Sequence, residues 1–252
     1  MSIEGKVIIV TGGTSGIGEG CVRHFAEVGA KVVSASIQQE EGEAQQAELD
    51  NVDFVYTDVS DEAQVKALID RTLELHGRID GCCSNAGVWR QGKVTEFTDA
   101  DWDLVMGVNV KGNFYLAKYL APVFERQGEG VLIITTSVAA FIGFPQHALY
   151  CASKAALDAL VRCLTTDHAG YMRTVAICPG TIDTPMLAAS ADGWEAPLEE
   201  LYAEIAQKIP VRRLGTPEDV AKVAAFLLSE DAGYIAGSSV FLEGGTMGLP
   251  PW

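Results

Sequence analysis

Basic residues are scarce in this 252-residue sequence. It has 18 Lys and Arg residues against 34 Asp and Glu residues, which gives a formal net charge of −16. A chain this acidic lacks the positive surface that attracts nucleic acid phosphates and anionic lipids. We therefore expect neither nucleic acid nor a membrane as a partner, and an acidic carrier protein is disfavoured for the same reason.

Long apolar runs and a secretion signal are also missing. No stretch approaches the roughly 18 uninterrupted apolar residues that a membrane-spanning helix needs. The first residues, MSIEGKVIIV, carry an acidic residue early. A secretion signal would instead have a basic start, an apolar stretch and a small-residue cleavage site. A soluble, cytoplasmic protein is the expectation.

The sequence has no Cys-x-x-Cys pair. Such pairs are typical of structural zinc sites and redox dithiols, so we predict neither, and no metal site. Most of the cysteines lie inside apolar patterns and are interpreted as small buried residues. The six are Cys21, Cys82, Cys83, Cys151, Cys163 and Cys178.

Short apolar runs alternate with longer amphipathic stretches along the whole chain. This alternation predicts about seven parallel strands covered by helices on both faces, in one doubly wound α/β domain that spans residues 1–252. A long helix is predicted from about Asp99 to Phe124 and another over 149–167. Residues 186–209 break the alternation, and we interpret them as a substrate lid over the ligand crevice. The strand-like runs are residues 7–10, 31–36, 52–59, 79–87, 130–137, 173–180 and 238–245.

A glycine-rich turn, TGGTSGIG, follows the first strand. Glycines let backbone N–H groups approach a pyrophosphate, and the next helix adds a favourable potential at its amino terminus. A plain tight turn would use the same residues, so the motif is weak alone. Its place on the first strand of a parallel α/β chain favours dinucleotide binding.

Five motifs, in order, resemble those of the short-chain dehydrogenase/reductase family. They are Thr11-Gly12-x-x-x-Gly16-x-Gly18, Ser84-Asn85-Ala86-Gly87, Ser137, Tyr150-x-x-x-Lys154 and Pro179-Gly180. The resemblance covers essentially the whole chain. It implies a Rossmann fold, NAD or NADP as cofactor, and a homotetramer assembled through the helices around 99–124 and 148–167.

Tyr150 and Lys154 are the candidate chemical pair. They lie one helical turn apart, so their side chains can meet on one face. A free phenol has a pKa of about 10, and we expect the ammonium to lower it so that Tyr150 acts as a general acid and base. Two polar residues on a solvated helix face would show the same spacing.

Two further residues join the predicted catalytic set. Ser137 ends an apolar strand, where its hydroxyl would orient the reacting oxygen. The resemblance gives Asn109 a water-holding role in a proton relay with the lysine, while a capping or helix-kink role stays open. The resemblance also implies cofactor contacts at Gly12, Ser15, Gly16, Ile17, Gly18, Ser36, Asp58, Val59, Asn85, Ala86, Gly87, Tyr150, Lys154, Pro179, Gly180, Ile182 and Thr184.

The residues that usually select the cofactor are absent. Ser36 stands where relatives that use NAD carry an acidic residue, and Ser15 stands where many that use NADP carry arginine. No Lys or Arg lies between Val32 and Glu48, whereas several glutamates do. These carboxylates would repel an additional phosphate, so we predict a preference for NAD over NADP.

Aromatic and aliphatic residues dominate the predicted substrate crevice. Arg90 could pair with an acidic group, although a surface position is also open, and His147 could bind substrate or begin a helix. The tail GLPPW suggests packing of Trp252 against a neighbouring subunit. The substrate-binding candidates are Trp89, Arg90, Ser137, Ala139, Phe144, His147, Tyr150, Met186 and Trp194.

These residues together predict an NAD(P)-dependent oxidoreductase that interconverts a secondary alcohol and a ketone. A reductase of 3-oxo groups bound to acyl carrier protein is the alternative within enzymes. A relative that senses nucleotides without turnover is the alternative from another class, but sensing would not require Asn109, Ser137, Tyr150 and Lys154 together.

Overall fold

The computed structural model describes residues 2–190 and 197–248. In that part of the chain, seven strands form one parallel sheet in the order β3-β2-β1-β4-β5-β6-β7. This confirms the predicted doubly wound α/β fold. The strands are β1 (Val7–Thr11), β2 (Lys31–Ser36), β3 (Val52–Tyr56), β4 (Gly81–Ser84), β5 (Val131–Thr135), β6 (Arg173–Pro179) and β7 (Ser239–Leu242).

Helices connect the strands. No helix in the described ranges combines the length and the apolar character needed to cross a bilayer. The helices are α1 (Gly16–Glu27), α2 (Gln39–Glu48), α3 (Glu62–His76), α4 (Asp99–Met106), α5 (Gly112–Gln127), α6 (Ala148–Asp167), α7 (Pro185–Ser190), α8 (Leu198–Lys208) and α9 (Pro217–Leu228).

Each face of the sheet has its own hydrophobic core. Successive strand residues point to opposite faces, and Cys82 and Cys83 accordingly belong to different cores. One core includes Leu68, Leu116 and Leu157 from α3, α5 and α6. The other includes side chains of α1 and α9, such as Phe25 and Leu227. The continuous apolar strands in the sequence follow from this two-sided burial.

The long helix predicted from Asp99 to Phe124 is divided by a wider turn. A π-helical segment, Gly107–Lys111, separates α4 from α5. Thr98 and Asp101 form a capping box that starts α4, and Gly128, in the left-handed conformation, ends α5. Asn109, the candidate catalytic residue of this predicted helix, lies inside the π segment and therefore at its irregular turn.

The carboxyl ends of the strands define the ligand edge. The chain moves outward from β1 through β2 to β3 and then returns to β4 on the other side of β1. In open parallel sheets this reversal leaves a crevice where ligands bind. Here the loops after β1, β4, β5 and β6 meet at that crevice.

Candidate active site

A cleft of about 440 Å³ lies at the carboxyl edge of the sheet. Most of the predicted site residues line it, including Gly12, Ser15, Gly16, Ile17, Asn85, Ala86, Gly87, Trp89, Ser137, Ala139, Phe144, His147, Tyr150 and Lys154. It also includes the predicted Pro179, Gly180, Ile182, Thr184 and Met186.

The glycine-rich turn is built for close backbone approach. Gly12 and Gly16 have φ values of +65° and +52°, which strain residues with a side chain. A Cβ atom on Gly18 would lie 2.0 Å from the Gly12 carbonyl oxygen. The turn is also fixed to the next loop, because Thr11 Oγ1 accepts hydrogen bonds from the backbone N–H groups of Asn85 and Ala86 at 3.1 and 3.2 Å. This cradle fits a dinucleotide pyrophosphate at the start of α1.

The predicted adenosine contacts lie beyond the cleft lining. Ser36 ends β2, where its hydroxyl accepts a hydrogen bond from Thr14 Oγ1 at 2.7 Å and from the Gln38 N–H at 3.2 Å. Asp58 follows β3 and accepts the Ser60 hydroxyl at 2.7 Å. Val59 is buried beside Gly112. These neutral and acidic groups stand at the ends of β2 and β3, which suits recognition of an uncharged ribose and adenine.

Tyr150 meets Ser137 in the cleft. Tyr150 lies in the first turn of α6, and Ser137 follows β5 by two residues. Protein surrounds most of the phenol, and this desolvation raises the pKa of Tyr150 to about 12. The Ser137 hydroxyl opposes that rise in the Tyr150 pKa, because it can donate a hydrogen bond to the phenolate and so favours the charged form.

Lys154 lies fully inside the protein. Its ammonium donates a hydrogen bond to the Thr135 carbonyl oxygen at 2.8 Å and is 5.6 Å from the centre of the Tyr150 ring. Burial disfavours the charged form and lowers the pKa of Lys154 to about 8. A buried ammonium that directs one hydrogen to a carbonyl retains other donors for a ligand.

The prediction that the Lys154 ammonium lowers the Tyr150 pKa is wrong for the side chains of this site. Burial dominates both groups, raising the Tyr150 pKa and lowering the Lys154 pKa. The pair shares a helix face as predicted, but desolvation outweighs the attraction between the two charges.

Asn109 makes a fixed set of hydrogen bonds. Its Oδ1 accepts the Val88 N–H at 2.8 Å, and its Nδ2 donates to the Val88 carbonyl and to Ser153 Oγ, both at 2.9 Å. Ser153 in turn donates to the Tyr150 carbonyl at 2.7 Å. The side chain therefore ties the loop after β4 to the catalytic helix α6. The relay role stays a prediction, and the kink role agrees with its place in the π segment.

Aromatic rings form the outer wall of the cleft. The ring of His147 stacks on Trp89, with centroids 5.3 Å apart and an interplanar angle of 9°. Phe144 approaches the same imidazole edge-on, at 6.2 Å. Met186 and Leu187 of α7 line the cleft too. Aromatic and aliphatic side chains therefore dominate the wall, as the sequence predicted for the substrate crevice.

Arg90 is not part of this wall. It is exposed, with its guanidinium 3.6 Å from Asp101 on α4 and bonded to the Trp89 carbonyl. Its surface position is the alternative that the sequence left open. Trp194 and the last four residues, 249–252, fall outside the described residues.

Several cleft residues were not among the predicted site residues. They come from the ends of the same strands and from α7. In the sequence, only their place after β5 and β6 could have indicated them. They are Thr135, Thr136, Val138, Thr181, Pro185 and Ser190.

Comparison with known proteins gives consistent matches over the full chain. Residues 12–247 match the family model described as enoyl-(acyl carrier protein) reductase. An uncharacterized oxidoreductase of Thermotoga maritima is 37% identical, over 98% of this chain and 99% of that protein. The 3-oxoacyl-[acyl-carrier-protein] reductase FabG of the same organism is 34% identical, over 97% and 99% of the two chains.

The fold matches solved structures equally well. The ligand-free aldohexose dehydrogenase of Thermoplasma acidophilum superimposes with a TM-score of 0.91 at 33% identity. The match covers 99% of this chain and 96% of that one.

Proposed function

Because this chain belongs to the short-chain dehydrogenase/reductase family of nicotinamide-dependent oxidoreductases, we propose that it interconverts a secondary alcohol and a ketone. The observation that carries this proposal is that the Tyr150 phenol and the Ser137 hydroxyl line one cleft that also includes the glycine-rich turn. A proton donor and a second hydroxyl at one point are what a reacting alcohol or carbonyl oxygen requires.

The protonation states of the site support a two-way acid and base. At neutral pH, Tyr150 carries its proton because its pKa is raised to about 12, so it can protonate the oxygen of a reacting ketone. Ser137 positions that oxygen and stabilises the phenolate left behind. A bound nicotinamide would supply or accept the hydride. In the oxidative direction Tyr150 must first lose its proton, which the hydrogen bond from Ser137 and the charged form of Lys154 both favour.

The residues present fit a dinucleotide. Gly12, Gly16 and Gly18 would face the pyrophosphate. The Lys154 ammonium donates one hydrogen bond to the Thr135 carbonyl oxygen, and its remaining N–H donors would hold the nicotinamide ribose. Within the part of the chain that the structure describes, Thr135 Oγ1 is buried and has no hydrogen-bond partner. Its position in the lining of the cleft makes it a further polar group available to the bound cofactor.

NAD is the cofactor that the ends of β2 and β3 favour. Ser36, Thr14 and Gln38 form a neutral hydrogen-bonded group there. Arg23 on α1 is held by Glu19 and Glu48. A 2′-phosphate would meet no dedicated basic partner in such surroundings, so NADH should bind more tightly than NADPH.

Fluorescence titration with the two reduced cofactors tests the preference. Tighter binding of NADH is the expected result. Tighter binding of NADPH would contradict the preference, and binding of neither would contradict the proposed oxidoreductase function.

A reductase of carrier-bound 3-oxo groups is the second candidate. The family model and the FabG relative favour it. Against it stands the charge of −16, which opposes docking of an acidic carrier protein. Comparing kcat/KM for a 3-oxoacyl group on a small thiol and on the carrier protein separates the two, because a carrier-dependent enzyme gains from the carrier.

Replacement of the phenol tests the central proposal. Tyr150→Phe should reduce turnover of secondary alcohols with NAD by roughly a hundredfold to ten-thousandfold, since the general acid and base is removed. NADH binding should persist, because the glycine-rich turn and Lys154 remain. The control is Tyr234→Phe, whose side chain is fully exposed. Wild-type protein that binds NADH but turns over no alcohol or ketone would favour the sensing alternative.

A further inference from the structure

His147 has a fixed tautomer at the substrate end of the cleft. Its Nδ1 lies 2.6 Å from the Pro145 carbonyl oxygen. A carbonyl oxygen can only accept, so Nδ1 carries the hydrogen and donates it. In the neutral imidazole, Nε2 must then present a lone pair. The backbone of Pro145 therefore makes Nε2 a hydrogen-bond acceptor.

The orientation of this imidazole is also held from both sides. Trp89 stacks against one face of the ring, and Phe144 meets it edge-on. The loops that carry these residues are joined, because the Gly92 N–H donates to the Gln146 carbonyl at 2.8 Å. Gln146 has a φ of +61°, a left-handed conformation that non-glycine residues rarely adopt. Backbone strain of this kind persists where surrounding contacts enforce it, often at a ligand site.

Nε2 itself has no hydrogen-bond partner among residues 2–190 and 197–248. The ring is half-buried and lines the cleft. If His147 served only to pack the two loops, a phenyl ring would stack on Trp89 without a polar atom at this place. The structure instead leaves an oriented acceptor facing an otherwise aromatic wall.

The charges around the cleft decide which donor fits that acceptor. The cleft-lining residues include one lysine, Lys154, which lies deep and is engaged with Thr135. Arg90 is outside the lining and pairs with Asp101. Among the described residues, an acidic substrate would find no cation at the outer wall, and the cleft lining has no Asp or Glu to pair with an ammonium. An uncharged hydroxyl is the donor that suits these surroundings.

The spacing along α6 sets how close this hydroxyl is to the reacting one. His147 is the residue before α6, and Tyr150 follows three positions later. Residues three apart at a helix start have Cβ atoms about 5–6 Å apart on one face. Because both residues line the cleft, one small substrate can extend from Tyr150 to His147, and substrates with hydroxyls on adjacent or on alternate carbons sample the distance between them.

We propose that His147 Nε2 accepts a hydrogen bond from a second hydroxyl of the substrate, and that the substrates are uncharged, ring-bearing diols and hydroxyketones. This inference rests on the proposed alcohol–ketone function and specifies its substrate class. Trp89 and Phe144 pack against the ring of the substrate or hold the imidazole that accepts a hydrogen bond from the substrate hydroxyl.

Matched substrates and variants test the proposal. The substrates are cyclohexanol, cyclohexane-1,2-diol and cyclohexane-1,3-diol, each oxidised with NAD. His147→Phe keeps a ring to stack on Trp89 but removes the acceptor, whereas His147→Gln keeps an amide oxygen and loses the ring. The melting temperature of each variant checks that it remains folded, and NADH titration checks that the cofactor site is intact.

For the wild type, kcat/KM for at least one diol should exceed that for cyclohexanol roughly tenfold, because one additional hydrogen bond between substrate and protein contributes about that factor. His147→Phe should lower the ratio of kcat/KM for the diol to kcat/KM for cyclohexanol from about ten to about one, mainly through the KM for the diol. His147→Gln should retain part of the preference.

Three results would overturn the inference in distinguishable ways. Equal use of diols and cyclohexanol by the wild type means that no second hydroxyl is recognised, although the alcohol function stands. A loss in His147→Phe that is the same for all three substrates assigns the ring to packing alone. Oxidation of none of them, or of their ketones in reverse, contradicts the proposed function on which the inference rests.

Discussion

At the scale of single residues, burial shifts the pKa values of Tyr150 and Lys154 in opposite directions. A buried phenol stays protonated to higher pH, and a buried ammonium releases its proton at lower pH. Both shifts reduce the charge inside the cleft. Each shift favours the uncharged form of its group, and a charged ligand in the cleft would change the titration of both.

The shift at Lys154 predicts a pH-dependent stability. Its pKa is about 8 in the folded protein against 10.5 in the unfolded chain. Below about pH 8 both states are protonated, and the folded state bears the full cost of burying the ammonium. As pH rises above 8, the unfolded chain binds more protons, so the free energy of unfolding must increase.

Comparison with Lys154→Met isolates this effect. Between about pH 7.5 and 9.5, the free energy of unfolding of the wild type should rise by about 2 kcal/mol relative to that variant, as measured by urea denaturation. The range stays below pH 10, where the raised Tyr150 pKa begins to act with the opposite sign. Lys66→Met, at an exposed lysine, is the control and should show no such rise. A flat difference for Lys154→Met would contradict the buried-ammonium assignment.

At the scale of elements, the packing of α1 on α9 depends on a glycine. A Cβ atom on Gly20 would lie 2.6 Å from Pro217 Cβ and 2.9 Å from the Pro217 carbonyl carbon. Pro217 is the first residue of α9, which begins at the capping box of Thr216 and Asp219. Because α1 begins at the glycine-rich turn, the same contact supports the position of the predicted cofactor cradle.

Gly20→Ala should therefore destabilise the protein despite the better helix propensity of alanine. Overpacking of this kind lowers the free energy of unfolding by about 1–3 kcal/mol, which denaturant titration can measure. Gly107→Ala is the matched control, because its nearest neighbour, Ser60 Cβ, would be 3.7 Å away. That variant should match the wild type or be up to about 1 kcal/mol more stable. Equal stability of Gly20→Ala and wild type would mean that α9 can move without loss.

At the scale of the whole molecule, large apolar side chains remain exposed on the helices that the resemblance assigns to assembly. Trp102 on α4 and Phe114 on α5 are 54% and 55% exposed. Exposed aromatic residues of this size are typical of protein interfaces. We propose that these helices pair with further copies of the chain in a homotetramer.

Charge placed on that surface should weaken assembly. Trp102→Glu and Phe114→Glu are expected to lower the molar mass found by light scattering after size-exclusion chromatography, because a carboxylate would be buried at the interface. Leu75→Glu, on α3, is the control at another exposed apolar residue. A wild-type monomer would refute the proposal, and tetramers in both variants would place the interface elsewhere.

The sequence alone determined the order of strands and helices, the parallel sheet and the cofactor end of the cleft. These features depend on local patterns: two-sided apolar runs, a glycine turn after β1, and the fixed spacing of Tyr150 and Lys154 on one helix. Even the opposite orientation of Cys82 and Cys83 followed from strand geometry.

Only the tertiary structure decided the direction of the pKa shifts, the outward position of Arg90 and the stack of Trp89 on His147. The physical reason is that each depends on groups distant in the chain. Desolvation of Tyr150 reflects everything packed around it, and Asp101 draws Arg90 away from the cleft. The stack joins the loop after β4 to the loop before α6, and these loops meet only when the sheet has formed.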